Sequence, residues 1–175
     1  MAVGTGSYSL VVSGLNLKTY TAMNLITGTS YRFKVSATNI VGSGVYSDEV
    51  SILAAQIPDK PTTPTTVFIG DDIIISWTAP ESRGSPITGY FVTINRFDGT
   101  YMQDTANCDG LTFSETGISF CTVPSTVLNA APFNLAWGSQ VYAKVIAQNA
   151  YGNSLESDPG SGARILTKPD APLFL

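Results

Sequence analysis

The sequence predicts an all-β chain of antiparallel β-sandwich modules, and three observations carry that expectation. Short apolar-alternating segments are separated by turn residues, no stretch has the length and period of a βαβ helix, and a block of the chain repeats itself. The block Gly28, Tyr31, Phe33, Val35, Ala37, Asn39, Gly42, Ser47 recurs as Gly138, Val141, Ala143, Val145, Ala147, Asn149, Gly152, Ser157, every pair 110 residues apart. Leu25/Leu135 and Lys34/Lys144 extend the match in the same register. Pro58-Asp59-Lys60-Pro61 is echoed by Pro169-Asp170-Ala171-Pro172, one residue out of that spacing. A repeat of this kind marks one supersecondary unit used more than once.

Each segment justifies its assignment in order. Between Tyr31 and Ala37 apolar residues alternate with Arg32, Lys34 and Ser36, the period of a strand with one buried face. Asn39-Ile40-Val41-Gly42 then reads as a turn. Val50 to Leu53 is a further strand, and Tyr8-Leu10-Val12 and Tyr20 to Met23 read as two earlier ones. Pro61-Thr62-Thr63-Pro64-Thr65-Thr66 reads as a stiff linker, with O-glycosylation of its threonines as the weaker alternative. Val67 to Ile69 follows as a first strand, and Ile73 to Trp77 as a second, with Ile73, Ile75 and Trp77 on one face. Pro80 ends it; Tyr90, Val92 and Ile94 define a third, closed by an Asp98-Gly99 hairpin turn. A long insertion is expected from Thr105 to Phe133, with one short helical turn between Pro124 and Ala131, before the strand Val141 to Ala147. Asn149-Ala150-Tyr151-Gly152 repeats the turn.

In this order and spacing Pro61, Pro64, Val67, Ile75, Trp77, Pro80, the run Gly84 to Tyr90 and the doubled Tyr31/Val35/Ala37/Asn39/Gly42/Ser47 set resemble the fibronectin type III family. The resemblance covers nearly the whole chain. It implies an immunoglobulin-like antiparallel sandwich of seven strands, used in tandem in large surface or extracellular proteins as spacer, scaffold and adhesion surface. In that register residues 58–168 form one complete module. Residues 1–57 form only the later part of another (strands C′, E, F and G), and residues 169–175 form a linker and the start of a following strand A. The half-module is expected to be completed by more chain or, as the alternative, by strand addition from a neighbouring molecule. Trp77, Tyr90, Tyr31, Val35 and Val145 are the expected core. Tyr31 stands where the family has its corner tyrosine; Val141 in the second copy has no hydroxyl to offer.

Composition bounds the chemistry. Net charge is −4, with nine Lys and Arg and no basic cluster, so nucleic acid is not an expected partner. No apolar run is long enough to span a membrane, and the first ten residues lack the pattern of a secretory signal. With no His, and with neither a nucleophile elbow nor a phosphate loop, no catalytic residue, cofactor or metal site is expected and the chain reads as a non-enzyme. Asp71, Asp72 and Asp98 read as turn residues in preference to Ca²⁺ ligands, Gly4, Gly6, Gly160 and Gly162 as loop glycines, and Arg83-Gly84-Ser85 as a plain turn.

Cys108 in Asn107-Cys108-Asp109-Gly110 and Cys121 in the strand-like Ser119-Phe120-Cys121, the two cysteines, read as a disulfide across a loop, worth about 3 kcal/mol in the chain-entropy estimate; the alternative is a pair of reduced thiols. The expected function is a structural or adhesive module of an extracellular or cell-surface array. Its partners would be neighbouring modules, copies of the same protein or other surface proteins, by strand-edge contacts. The alternative is a recognition or accessory module of a larger receptor or enzyme, with Asn39, Gly42, Asn149 and Gly152 marking its contact loops. An intracellular filament array is a third reading.

Overall fold

A computed structural model describes residues 1–112 and 118–166; the second proline motif and the expected start of a third module, residues 169–175, lie outside the described residues. The chain divides into two compact units, one of Met1–Gln56 with Arg83–Ser85, the other of Ile57–Ser82 and the described residues from Pro86 onward.

In the first unit three short strands, β1 (Ala2–Val3), β2 (Ser30–Phe33) and β3 (Val50–Leu53), form an antiparallel sheet in the order β1-β2-β3. Ala2 and Tyr31 are buried in it. The Tyr31 hydroxyl accepts a hydrogen bond from the Ile26 amide at 2.8 Å, so the corner tyrosine makes its bond. Two expectations change here. Tyr8–Val12 and Tyr20–Met23 form no regular strand, and Leu10 and Met23 are largely exposed. Val35, expected in the core, is 71% exposed. The backbone beyond Phe33 keeps its bonding, since the Val35 carbonyl accepts from the Ser47 amide at 2.8 Å. Within this unit, however, no second sheet lies across that face. Alternation in sequence names a face; burying it needs an opposing layer.

The second unit supplies both layers. A three-stranded antiparallel sheet runs β4 (Thr65–Ile69), β5 (Asp72–Thr78), β8 (Ile118–Pro124). A four-stranded antiparallel sheet has the order β10 (Gly152–Asn153), β9 (Ala143–Asn149), β6 (Ile87–Asn95), β7 (Tyr101–Met102). Period-2 patterning fills the space between: Ile73, Ile75 and Trp77 from β5 meet Tyr90, Val92, Ile94, Ala143, Val145 and Ala147, all nearly inaccessible. Trp77 and Tyr90 touch edge to face with ring centroids 5.4 Å apart, a geometry favoured by the aromatic quadrupole.

The turns follow from local chemistry. Gly70, at φ 66°, and Asp71 make the β4–β5 hairpin. Asp98 closes the β6–β7 turn by accepting from the Thr100 amide (3.0 Å) and hydroxyl (2.6 Å). Helix α1 (Ser125–Asn129) is one turn long and is anchored by the buried Leu128. The stretch expected as an insertion contains β8, the third strand of the smaller sheet. The run Ser119–Cys121, expected to be strand-like, lies within it. Pro61 and Pro64, expected in a stiff linker, are buried.

Candidate functional site

The repeat is reproduced in its ladder bonds, with one difference: the Ala147 amide also donates to the Ser154 hydroxyl, where the first unit has Gly44. In the second unit the Val145 amide donates to the Ser157 hydroxyl at 3.0 Å, the Val145 carbonyl accepts from the Ser157 amide at 2.9 Å, and the Ser154 amide bonds the Ala147 carbonyl at 2.8 Å. In the first unit the same roles fall to Val35 and Ser47 at 3.1 and 2.8 Å, and to Gly44 and Ala37 at 2.9 Å. Asn149 Oδ1 accepts from the Tyr151 amide at 2.9 Å and Asn39 Oδ1 from the Val41 amide at 2.9 Å, so each asparagine folds its loop through an Asx turn. Gly152 at φ 131° and Gly42 at φ 151° take conformations that side chains resist.

The two loops differ in what they present. Ile40, Val41, Val45 and Tyr46 are each at least 70% exposed, whereas the second loop offers Tyr151 and Leu155. Both are apolar protrusions held by a rigid ladder.

A second shared feature was not legible beforehand. Lys144 Nζ lies 4.2 Å from the centre of the Tyr101 ring on β7, and Lys34 Nζ lies 5.0 Å from that of Tyr8. Tyr8 thus plays the part of Tyr101, although the residues after it are irregular. Around Tyr8 the Glu49 carboxylate accepts from the Tyr8 hydroxyl and from Arg32 Nη1 at 3.0 Å. The bond from Tyr8 holds the Glu49 carboxyl below its ordinary range. Desolvation, then that same bond, raises the Tyr8 hydroxyl. In the second unit Glu156 bonds Lys144 at 2.8 Å and raises its ammonium.

Two devices close the sandwich. Thr66 on β4 is 1% exposed; its hydroxyl donates to the Val141 carbonyl at 3.0 Å and accepts from the Ala163 amide at 2.9 Å. One side chain on the smaller sheet thereby binds the segments flanking the larger one. Gly160 and Gly162, expected as loop glycines, are close-approach positions: a Cβ on Gly160 would stand 1.7 Å from the Pro64 carbonyl oxygen, and one on Gly162 2.3 Å from that of Thr66. The second device is covalent. Cys108 and Cys121 form a disulfide, both ends buried, that ties the segment after β7 to β8 in the opposite sheet.

No family model matches the chain. A Kelch domain-containing protein of Saccharolobus solfataricus is 27% identical over 100 residues, covering 57% of this chain and 14% of that protein. Fibronectin type-III domain-containing protein 3a of Gallus gallus is 28% identical over 121 residues, 65% of this chain and 10% of the relative. The human phosphatidylinositol phosphatase PTPRQ is 32% identical over 94 residues, 49% and 4%. The chain therefore spans no more than 14% of the length of these relatives. Among solved structures, domains d3–d4 of the rat CD45 extracellular region align over 91% of this chain and 78% of that one, with a TM-score of 0.53 and 16% identity. The chain has the immunoglobulin-like antiparallel β-sandwich fold of the fibronectin type III class and is similar in sequence to fibronectin type III domain-containing proteins.

Proposed function

We propose that the chain is a non-catalytic structural or adhesive stretch of tandem fibronectin type III-like modules, exposed outside the cell. Residues 1–57 would belong to one module, 58–168 to the next, and 169–175 to the start of another. The carrying observation is the repeated ladder: two segments 110 residues apart make the same ladder bonds. Serial repetition of one unit suits spacing and lateral contact. The disulfide supports an oxidising compartment. Partners would be neighbouring modules or further copies, met through strand edges and the loops at Asn39–Gly42 and Asn149–Gly152.

The exposed apolar tips Ile40, Val41 and Tyr46 favour a second reading, a recognition module of a larger receptor or enzyme. One experiment bears on location directly. Native protein is alkylated without reductant while intact cells are labelled with an impermeant amine reagent. Label on Lys residues and a 108–121 disulfide are the expected result; unlabelled protein with both cysteines alkylated would sink the extracellular reading.

A further inference from the structure

The threonine-proline run ahead of β4 is fixed to the sandwich, since Pro61 and Pro64 are both buried. The four threonines beside Pro64 are treated differently. Thr66 is buried, and its hydroxyl bridges the Val141 carbonyl and the Ala163 amide. Thr65 stands opposite Ser76 across β4 and β5, and the two hydroxyls share a hydrogen bond of 2.8 Å. Thr62 and Thr63 are exposed, and among the described residues no partner meets their hydroxyls or backbone N–H groups. The backbone there is restrained without being paired. Pro61 fixes its own φ, and a residue before proline, as Thr63 is, is pushed out of the helical region toward the extended one.

Two open hydroxyls on an anchored, extended and unpaired backbone suit a glycosyltransferase acceptor. An enzyme that grips a segment by its main chain needs N–H groups not already engaged. Space is present as well. Thr62, Thr63 and Thr65 line an open concavity of about 140 Å³ together with Ser76, Trp77 and Thr78. Five of those six side chains carry a hydroxyl, which both donates and accepts toward a sugar ring. The rest of the chain gives a sugar something to do. Charged residues are 13% of the sequence, against a usual share of about 25%. Strand β4 itself has no charge, and its Val67 and Ile69 are 48% and 57% exposed. A hydrated group at the head of that strand supplies the solubility that charge does not. No Asn-x-Ser/Thr sequon occurs in the sequence, so the acceptor atom is a hydroxyl oxygen.

We propose that the pair Thr62/Thr63 is an acceptor site for an O-linked monosaccharide, and that the fold withholds Thr65 and Thr66 from the same chemistry. The donor is a sugar activated as its nucleotide or lipid phosphate. The threonine Oγ1 attacks the anomeric carbon, and a C1–Oγ1 bond forms. The bond from C1 to the phosphate oxygen breaks with its electron pair, and the released phosphate takes up the hydroxyl proton. Nothing is oxidised or reduced. The site rests on the extracellular reading, in which a disulfide-bonded chain passes through the secretory route where such donors and transferases act.

Mass spectrometry of the whole chain, isolated from the cells that make it and alkylated without reductant, tests this. Electron-transfer fragmentation then places any sugar within the peptide that contains Thr62 to Thr66. Thr62→Ala/Thr63→Ala and Thr65→Ala, made in the same cells, are compared with the parent. A hexose or N-acetylhexosamine on Thr62, Thr63 or both is expected, lost in the double variant and kept in Thr65→Ala. The double variant removes no buried or bonded side chain, so it should fold as the parent does. Bare Thr62 and Thr63 in a chain whose 108–121 disulfide is formed overturn the site alone. Sugar on Thr65 or Thr66 overturns the selectivity, and the proposal with it. Bare threonines together with two alkylated cysteines sink the extracellular reading and this site at once.

Discussion

Thr66 does more than its size suggests, because its hydroxyl both donates and accepts in a site that water does not reach. Replacing it with Val leaves the Ala163 amide and the Val141 carbonyl each short of a partner, at a cost of about 1–3 kcal/mol. Chemical denaturation of Thr66→Val against Thr66→Ser measures it; the serine, which keeps the hydroxyl, should lose much less. Gly160→Ala should lower stability more sharply, since the clash is with backbone and neither strand can yield alone. A thermal midpoint within a degree of the parent would contradict that. Asp98 gives a pH signature. Its carboxyl is held low, first by the Thr100 hydroxyl and then by the Thr100 amide. A depressed folded value means its contribution is present above the ordinary carboxylate range and is lost as pH falls through the folded value. Asp98→Asn should therefore flatten the acid limb of the stability profile of the β6–β7 turn, read by NMR of the Thr100 amide.

Matched strands give an internal control that single proteins rarely offer. Val35 and Val145 share sequence context and both bond a serine through their backbone, yet one is 71% exposed and the other fully buried. Val145→Ala should cost roughly 1–3 kcal/mol by cavity formation, while Val35→Ala should stay within about 0.5 kcal/mol. Paired unfolding curves check the contrast, and equal effects would mean that Val35 is covered in solution. Most of the strand pattern was legible: Ile73 to Trp77, Tyr90 to Ile94, Val141 to Ala147 and Val50 to Leu53 all lie in or beside observed strands. Of β8 only the strand-like run Ser119–Cys121 was read, and it was placed in an insertion, not in a sheet, while Tyr20–Met23 was misread. Alternation over four residues carries too little information to tell a strand from an irregular apolar stretch.

For the molecule as a whole, stability should be uneven. The second unit has two packed sheets, a disulfide and the Thr66 bridge, whereas the first has one small sheet with Leu10, Met23, Ile40 and Val45 exposed. Native-state hydrogen exchange should find the slowest amides in β6 and β9 and much faster ones from Lys34 to Ala37. Comparable protection in the two sets would require a layer over the first unit that the described residues do not supply. The candidate contact loops were legible because Asn-x-x-Gly is a local signal, set by a side-chain bond and a positive φ within four residues. The close approach of Gly110 to the Tyr90 carbonyl was not, because it brings together residues twenty apart in the chain.

By itself, then, the sequence determined what is periodic or local: the sandwich class, the repeated strand and its loop, and the turn residues. It named Trp77, Tyr90 and Val145 for a core in which they are buried. Only the tertiary structure decided whether a named face meets an opposing layer, as at Val145, or lacks one, as at Val35. The physical reason is that alternation is a property of one strand, while burial belongs to the pair of sheets.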